Sequence, residues 1–213
     1  MVQREKKSIK RKQKEFKMGM DVSGLNPKIN KSESDFPIYF KYESMSFDEK
    51  WKILDNNKED YDKYWEEKEK FNKINVGIYF RNNVWWWHPL WDYCHFIAPE
   101  LIDNKLYNKG HSNEGAGLNA TDAVKLSIKL LVSIEDETCA TYKRERDLHL
   151  ESLPEDDCSI CNNNNRGRKK KKECKMCDTK GTRPHFSTMY GFDVENVKRF
   201  AGFCAESGGF EIC

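Results

Sequence analysis

The chain has 213 residues, of which 34% are charged and 38% hydrophobic, and its formal net charge is only +2. Six tryptophans and an aromatic content of 13% exclude a disordered chain and predict a core built from large rings. No apolar run reaches the roughly 18 residues of a membrane span, so we expect no membrane partner. The basic N-terminus lacks the apolar region of a secretory signal, and we therefore expect a cytoplasmic location.

The first half of the chain predicts short strands and helices. Met20-Asp-Val reads as a strand that enters a turn at Gly24, and residues 38–42 are β-prone. Residues 47–71 follow the three-and-four spacing of an amphipathic helix, with Asn56-Asn57 breaking it into two helices. Residues 76–80 form an apolar run that predicts a second strand.

Residues 85–91 contain four indoles, which is more than a small core easily absorbs. Each indole N–H also needs a hydrogen-bond partner, so we expect some of these side chains to line a groove or an interface. Pro89 suits the first turn of a helix that runs to about Ala98.

A polar, glycine-bearing loop over residues 108–119 leads into a helix that Thr121 opens. We expect the buried stripe of this helix to consist of apolar residues at helical spacing: Val124, Ile128, Leu131 and Ile134. Another helix is expected over residues 135–150. Asp193 is expected to cap a last helix that Gly208-Gly ends, with Phe200 and Cys204 facing inward and the remaining tail packing back.

The indole-rich segment and the glycine-bearing loop also predict a small-molecule pocket, because aromatic rings with a few convergent polar groups are typical of such sites. The ligand would be nucleotide-like, and the candidate residues are Asp21, Asn82, Asn83, Trp86, His88, His111 and Asn113. His88 and His111 have the pKa range for acid–base work, but each is also explained as a satisfied structural histidine.

The most specific signal is a pair of Cys-x-x-Cys motifs separated by twelve residues, formed by Cys158, Cys161, Cys174 and Cys177. Four thiolates at this spacing predict a structural Zn2+ site, whose binding free energy would fold a segment that has few apolar residues. The alternatives are two disulfides or four unrelated thiols. A four-thiolate zinc has no open coordination position, so metal catalysis is not expected there.

The densest positive cluster in the body of the chain lies between the two cysteine pairs. It consists of Arg166, Arg168, Lys169, Lys170, Lys171 and Lys172. Cations beside a rigid metal site are a common way to contact nucleic-acid phosphates. The alternative is an exposed loop that only improves solubility.

Together these patterns predict an α+β fold, mainly helical with short strands, that carries a four-cysteine zinc-knuckle module. We expect a basic N-terminal arm over residues 1–17, a body over residues 18–154, the zinc module over residues 155–186, and a C-terminal helix and tail over residues 187–213 that pack on the body. The arm either contacts phosphates or is simply solvated.

Several stretches together resemble a set of uncharacterised proteins from bacteriophages and bacterial genomes. The stretches that carry the resemblance are Met18-Gly-Met-Asp-Val, residues 79–87, residues 89–94, residues 112–118, the two cysteine pairs, residues 192–197 and residues 207–213. The resemblance as a whole spans about two thirds of the chain, and these stretches occur in the same order. The resemblance implies a viral or mobile-element protein that acts in the cytoplasm of a bacterial host, and it implies no activity.

The metal module also resembles half of the zinc repeat of J-domain co-chaperones, in which each cysteine pair precedes x-Gly-x-Gly. Cys177-Asp-Thr-Lys-Gly fits that pattern loosely, whereas Cys161 is followed by four asparagines. This departure argues against client-protein binding of the co-chaperone kind.

Three functions remain open from the sequence. We favour nucleic-acid binding through the basic loop beside the zinc site. The alternatives are a nucleotide-like ligand in the tryptophan-rich pocket and docking of a viral protein on a host protein through exposed indoles. Whether the protein is an enzyme stays open. The sequence contains no Gly-x-Ser-x-Gly motif of the kind that positions a serine nucleophile.

Overall fold

The computed structural model describes residues 19–30, 33–112, 114–160 and 174–213. It is 59% helical, with eight helices and a small antiparallel sheet in these ranges, which confirms the mainly helical α+β class. Among the described residues, none of the helices combines the length and apolar character that crossing a membrane requires.

The helices are α1 (Pro37–Glu43), α2 (Phe47–Leu54), α3 (Lys58–Ile74), α4 (Val84–Ile97), α5 (Asn104–Ser112), α6 (Ala120–Glu135), α7 (Thr138–Ser152) and α8 (Val194–Glu206). The strands are β1 (Gly19–Gly24), β2 (Tyr79–Asn83), β3 (Ala116–Asn119), β4 (Asp156–Asp157), β5 (Thr182–Arg183) and β6 (Gly209–Ile212). Short 3-10 helices lie at Glu33–Asp35 and Phe186–Met189.

The main sheet has the order β2-β1-β6-β3, with every neighbouring pair antiparallel. Val22 of β1 lies opposite Phe80 on one side and Ile212 on the other, and all three side chains are buried. Because successive strand residues point to opposite faces, Asp21 and Arg81 share the other face of the sheet. One face therefore belongs to the core, and the other carries polar side chains.

The main core lies between the apolar face of this sheet and helices α4, α6 and α8. Trp87, Trp91 and Phe200 are completely buried there. The Ser127 hydroxyl of α6 donates to the Ala201 carbonyl of α8 at 2.7 Å, which satisfies a polar group at the centre of this packing. The C-terminal residues complete the core, because β6 inserts between β1 and β3.

Helices α1 to α3 form a satellite with a separate aromatic core around Tyr42, Leu54 and Tyr64. The expected break between α2 and α3 is confirmed, and Asn57 caps α3 by accepting a hydrogen bond from the Asp60 amide. The expected strand over residues 38–42 is wrong, since these residues lie in α1. Pro37 starts that helix, and packing of its rings against α3 outweighs their β propensity.

The buried stripe of α6 differs from the expected one. Leu126 and Leu130 are buried, whereas Val124, Ile128 and Leu131 are exposed. The exposed fraction of Ile128 is 56%. The helix is apolar on two faces, so periodicity could not select the face that packs against α8. Of the expected stripe, only Ile134 is partly buried against the core.

The polar segment before α6 is more ordered than a loop, because α5 and β3 occupy most of it. Helix α4 begins at Val84 rather than at Pro89, and Asn83 caps it by accepting a hydrogen bond from the Trp86 amide at 3.1 Å. Pro89 lies inside α4. The last helix and its buried face agree with the sequence, although the Asp193 side chain makes no capping hydrogen bond.

Candidate metal centre

A two-residue antiparallel ladder closes the cysteine-rich segment. Asp156 of β4 lies opposite Arg183 of β5, and the Cys158 amide donates to the Gly181 carbonyl at 2.8 Å. The chain on both sides of the segment is thereby held together by backbone hydrogen bonds. This places Cys158 beside the turn that contains the second cysteine pair.

The second pair lies in a tight turn over residues 174–181. The Thr179 amide donates to the Cys174 carbonyl at 3.3 Å and the Lys180 amide to the Cys177 carbonyl at 2.9 Å. Gly181 has φ +86°, a left-handed conformation that glycine adopts without strain. Its amide lies 3.4 Å from the Cys177 sulfur and donates to it. A backbone N–H aimed at a sulfur in this way stabilises the charge of a thiolate.

Three sulfurs converge in this module. The sulfurs of Cys158, Cys174 and Cys177 all lie within 4.8 Å of one another, and those of Cys158 and Cys174 are 3.8 Å apart. A disulfide would require about 2.05 Å. In contrast, a tetrahedral ion with bonds of about 2.3 Å places its sulfur ligands about 3.8 Å apart. The geometry fits ligands that share one ion, and the expected disulfide alternative does not fit the Cys158–Cys174 pair.

No apolar side chain of the described residues accounts for the burial of this cluster. Cys158, Cys174 and Cys177 are at most 6% exposed, yet the buried hydrophobic cluster that they form contains, among the described residues, only these three cysteines. Thiolates are soft ligands that suit zinc and similar ions, so the donor set fits a metal that holds the module together. It is also the only group of potential metal ligands at this spacing in the described ranges.

One predicted metal ligand and all six basic candidates fall on residues that the structure does not describe. Cys161, the fourth predicted ligand, lies outside the described residues. The same is true of the basic candidates Arg166, Arg168, Lys169, Lys170, Lys171 and Lys172. Their roles stay predictions. The chain enters and leaves this segment at Ile160 and Cys174, next to the sulfur cluster.

The other cysteines play a different part. Cys94, Cys139 and Cys204 are buried in the main core, and burial raises the pKa of each thiol. They are therefore neutral and act as small apolar side chains at neutral pH. Cys213 is exposed at the end of the chain.

The metal module docks on the body through aromatic rings. The Phe186 amide donates to the Asp156 carboxylate at 2.6 Å, which ties β4 to the start of the 3-10 helix Phe186–Met189. The Trp85 ring packs against two other rings, with centroid distances of 5.5 Å to Phe186 and 4.8 Å to Tyr190. Arg146 of α7 donates to the Tyr190 carbonyl at 2.6 Å. These contacts give Trp85 a structural role at the junction with the body.

The remaining indoles of α4 divide between core and surface. Trp87 and Trp91 are buried and stacked at 5.5 Å, and their N–H groups donate to the carbonyls of Gly110 at 2.9 Å and Tyr107 at 3.0 Å. The partners that the sequence argument required are therefore backbone carbonyls of α5. Trp86 is 39% exposed, and its ring packs against Gly191.

His88 and His111 do meet, with ring centroids 4.6 Å apart. His111 Nε2 lies 3.0 Å from Asp92 Oδ1. Tyr107 donates to the same carboxylate at 2.7 Å, and His88 stacks on Tyr190. Burial, and next the charge of His111, lower the pKa of His88, so this imidazole favours its neutral form.

The sequence analysis missed Asp92 and Tyr107 as members of this histidine cluster. A local signal was present, because His88 and Asp92 are four residues apart on α4, and Tyr107 and His111 are four residues apart on α5. Such pairs share one helix face. What could not be read from the sequence is that these two faces pack against each other.

The other pocket candidates have separate partners. Asp21 lies on the polar face of the sheet, 3.6 Å from Arg81. Asn82 donates to the Asn196 side chain at 3.0 Å, and Asn83 caps α4. Asn113 lies outside the described residues. A cleft lined by Asp21 exists, but its lining includes none of Asn82, Asn83, Trp86, His88 and His111.

Comparisons of the chain with models of protein families, with curated proteins and with solved structures find no match.

Proposed function

We propose that the protein binds nucleic acid through the basic segment that a structural zinc centre holds at its base. The zinc would be bound by Cys158, Cys174 and Cys177, with Cys161 as the fourth ligand. The phosphate contacts would come from residues 166–172, which contain six cations in seven residues. Nothing in the proposal requires a chemical reaction.

The observation that carries this proposal is the 3.8 Å separation of the Cys158 and Cys174 sulfurs. These cysteines bracket the basic segment, so an ion shared between them would hold its two ends at one point. Fixing both ends lowers the conformational entropy that a flexible loop loses when it binds. Because the net charge of the chain is only +2, this local concentration of cations would supply the attraction for phosphates.

The test is a binding titration of the zinc-loaded full chain with fluorescent single-stranded and double-stranded DNA and RNA. Phosphate contacts release counterions, so affinity should fall steeply as salt rises. With about four phosphates neutralised, a fourfold increase in salt should weaken duplex binding by roughly a hundredfold. Binding that is absent, or that does not change with salt, would overturn the proposal.

A matched pair of charge variants locates the contact. In the first variant Lys169, Lys170, Lys171 and Lys172 are replaced by Gln. In the second variant an equal number of positive charges is removed by replacing four exposed lysines of α3 with Gln: Lys58, Lys63, Lys70 and Lys73. Only the first variant should lose affinity and flatten the salt dependence. Equal losses in both would mean that the attraction is a nonspecific effect of overall charge.

A further inference from the structure

A cleft of about 760 Å³ lies between the polar face of the sheet and the helical satellite. Strands β1 and β2, together with Ile78 just before β2, form its floor, and helices α1 and α3 form the opposite wall. The residues that line it are Asp21, Ser23, Gly24, Tyr39, Trp65, Lys68, Glu69, Asn72, Ile78, Tyr79 and Arg81. This volume is within the range of small-molecule sites, and the site separates the two hydrophobic cores.

Three aromatic side chains line the cleft, from both of its walls. Tyr39 and Trp65 come from the satellite and Tyr79 comes from β2. Burial and the nearby Glu43 carboxylate raise the pKa of Tyr39 to about 12, so the ring stays uncharged. The Tyr79 hydroxyl donates to Asp21, which leaves its ring for contact with a ligand. Aromatic walls of this kind favour a planar ligand that can stack.

Two hydrogen-bond donors of the cleft lack a full complement of acceptors in the described part of the chain. The Trp65 indole N–H is buried and has no hydrogen-bond partner there. Three residues further along α3, the Lys68 ammonium donates only to the Tyr64 hydroxyl, at 3.4 Å, and no carboxylate of the described residues lies within ion-pair distance. The Lys68 ammonium lines the cleft and is therefore available to an anionic group of a ligand.

The charges of the cleft favour an anion at Lys68. Burial lowers the pKa of Lys68, and a bound anion would compensate for the solvation that this ammonium has lost. Glu43, the acid whose charge acts on Lys68, already accepts from Lys50 at 2.8 Å and from Tyr64 at 2.5 Å. On the floor, Arg81 and Asp21 lie 3.6 Å apart and offset each other. Glu69 also lines the cleft, but it is exposed to water, which screens its repulsion.

We propose that this cleft binds a planar aromatic anion, with its ring against Tyr39, Trp65 and Tyr79 and its anionic group at Lys68. A nucleoside monophosphate and an aryl carboxylate share this chemistry. The site is independent of the zinc module, because none of its lining residues belongs to residues 155–186.

The experiment is isothermal titration of the full chain with AMP, UMP and indole-3-acetate, with adenosine and inorganic phosphate as half-ligands. We expect AMP or indole-3-acetate to saturate with a Kd below about 1 mM, and each half-ligand to bind at least about tenfold more weakly. Saturation by AMP and UMP assigns the anion to a nucleotide. Saturation by indole-3-acetate alone assigns it to an aryl carboxylate. No saturation by any of the three would overturn the proposal.

Substitutions on α3 test the binding mode. Lys68→Gln should weaken binding by about tenfold or more, since it removes a charge-assisted contact. Lys70→Gln is the matched control, because Lys70 is an exposed lysine of the same helix that pairs with Glu66 at 2.7 Å, and it should change the Kd by less than about twofold. Equal affinities of the two variants for the ligand would contradict the proposed contact.

Two further variants do not depend on the charge of Lys68. Trp65→Phe keeps a ring but reduces the area on which a planar ligand can stack, and it should weaken binding several-fold. Asn72→Trp places a large side chain in the cleft from a partly exposed helix position, so it should abolish binding while leaving the melting temperature near that of the parent protein. Unchanged affinity in a folded Asn72→Trp variant would show that the ligand binds elsewhere.

Discussion

Replacing Cys177 by serine should weaken zinc binding and loosen the module without unfolding the body. The Cys177 sulfur is one of three that lie within 4.8 Å of one another, and serine does not supply a thiolate. Structural zinc contributes about 10–16 kcal/mol of apparent binding free energy, so one thiolate in four accounts for about 2.5–4 kcal/mol. The variant should therefore bind zinc roughly a hundredfold to a thousandfold more weakly.

The effect should stay local, because the main core contains none of the residues that the structure describes between β4 and β5. The assay is competition with a chromophoric zinc chelator, followed by limited proteolysis and a thermal melt of the same samples. We expect new cleavage between residues 157 and 182, together with a main melting transition close to that of the parent protein.

Cys213→Ser is the control, since Cys213 is exposed and lies outside the sulfur cluster. It should keep one zinc per chain under the same competition. The reasoning is refuted if Cys177→Ser retains zinc as tightly as Cys213→Ser. It is also refuted if the purified parent protein, refolded with zinc, carries less than about half an equivalent.

Three further predictions follow from the packing. In a denaturant titration, Leu126→Ala should destabilise the fold by about 2–5 kcal/mol, whereas Ile128→Ala on the exposed face of α6 should change the stability by no more than about 0.5 kcal/mol. Similar losses for the two variants would contradict the observed orientation of the helix. Gly110→Ala should destabilise the fold by about 1–3 kcal/mol, because the added Cβ would lie 2.3 Å from the Trp91 ring nitrogen. Gly202→Ala places its Cβ in open space on α8, so it should be neutral or stabilise the fold by about 0.5–1 kcal/mol. Because the pKa of His88 is lowered in the folded protein, the unfolded chain protonates this side chain first as the pH falls below about 6.5, and the stability of the fold should decrease in that range. Thermal melts at pH 7.5 and 5.5 should show a smaller decrease for His88→Gln and an unchanged decrease for His149→Gln, whose side chain is exposed.

Local patterns determined the elements whose signals do not depend on distant residues. The two cysteine pairs predicted a metal site because two short motifs define it, and three of the four sulfurs do converge. The break at Asn57 follows from a side chain that caps the helix beginning at the next residue. The buried face of α8 was correct because its apolar residues occupy only one side.

Other features were decided by tertiary packing. Residues 38–42 have strand-forming side chains, yet they become helical because their rings fill the aromatic core of the satellite. Helix α6 has two apolar faces, and contact with α8 selects the one that the sequence analysis did not choose.

The candidate sites divide in the same way. Spacing along the chain identified the sulfur cluster, since the cysteines come as two local pairs and the three that the structure describes converge. The cleft on the polar face of the sheet joins Asp21 and Tyr79 to Trp65 and Lys68, which no motif relates. Such a site exists only after the satellite folds against the sheet, because contacts between distant segments depend on the packing of whole elements rather than on the pattern of any one of them.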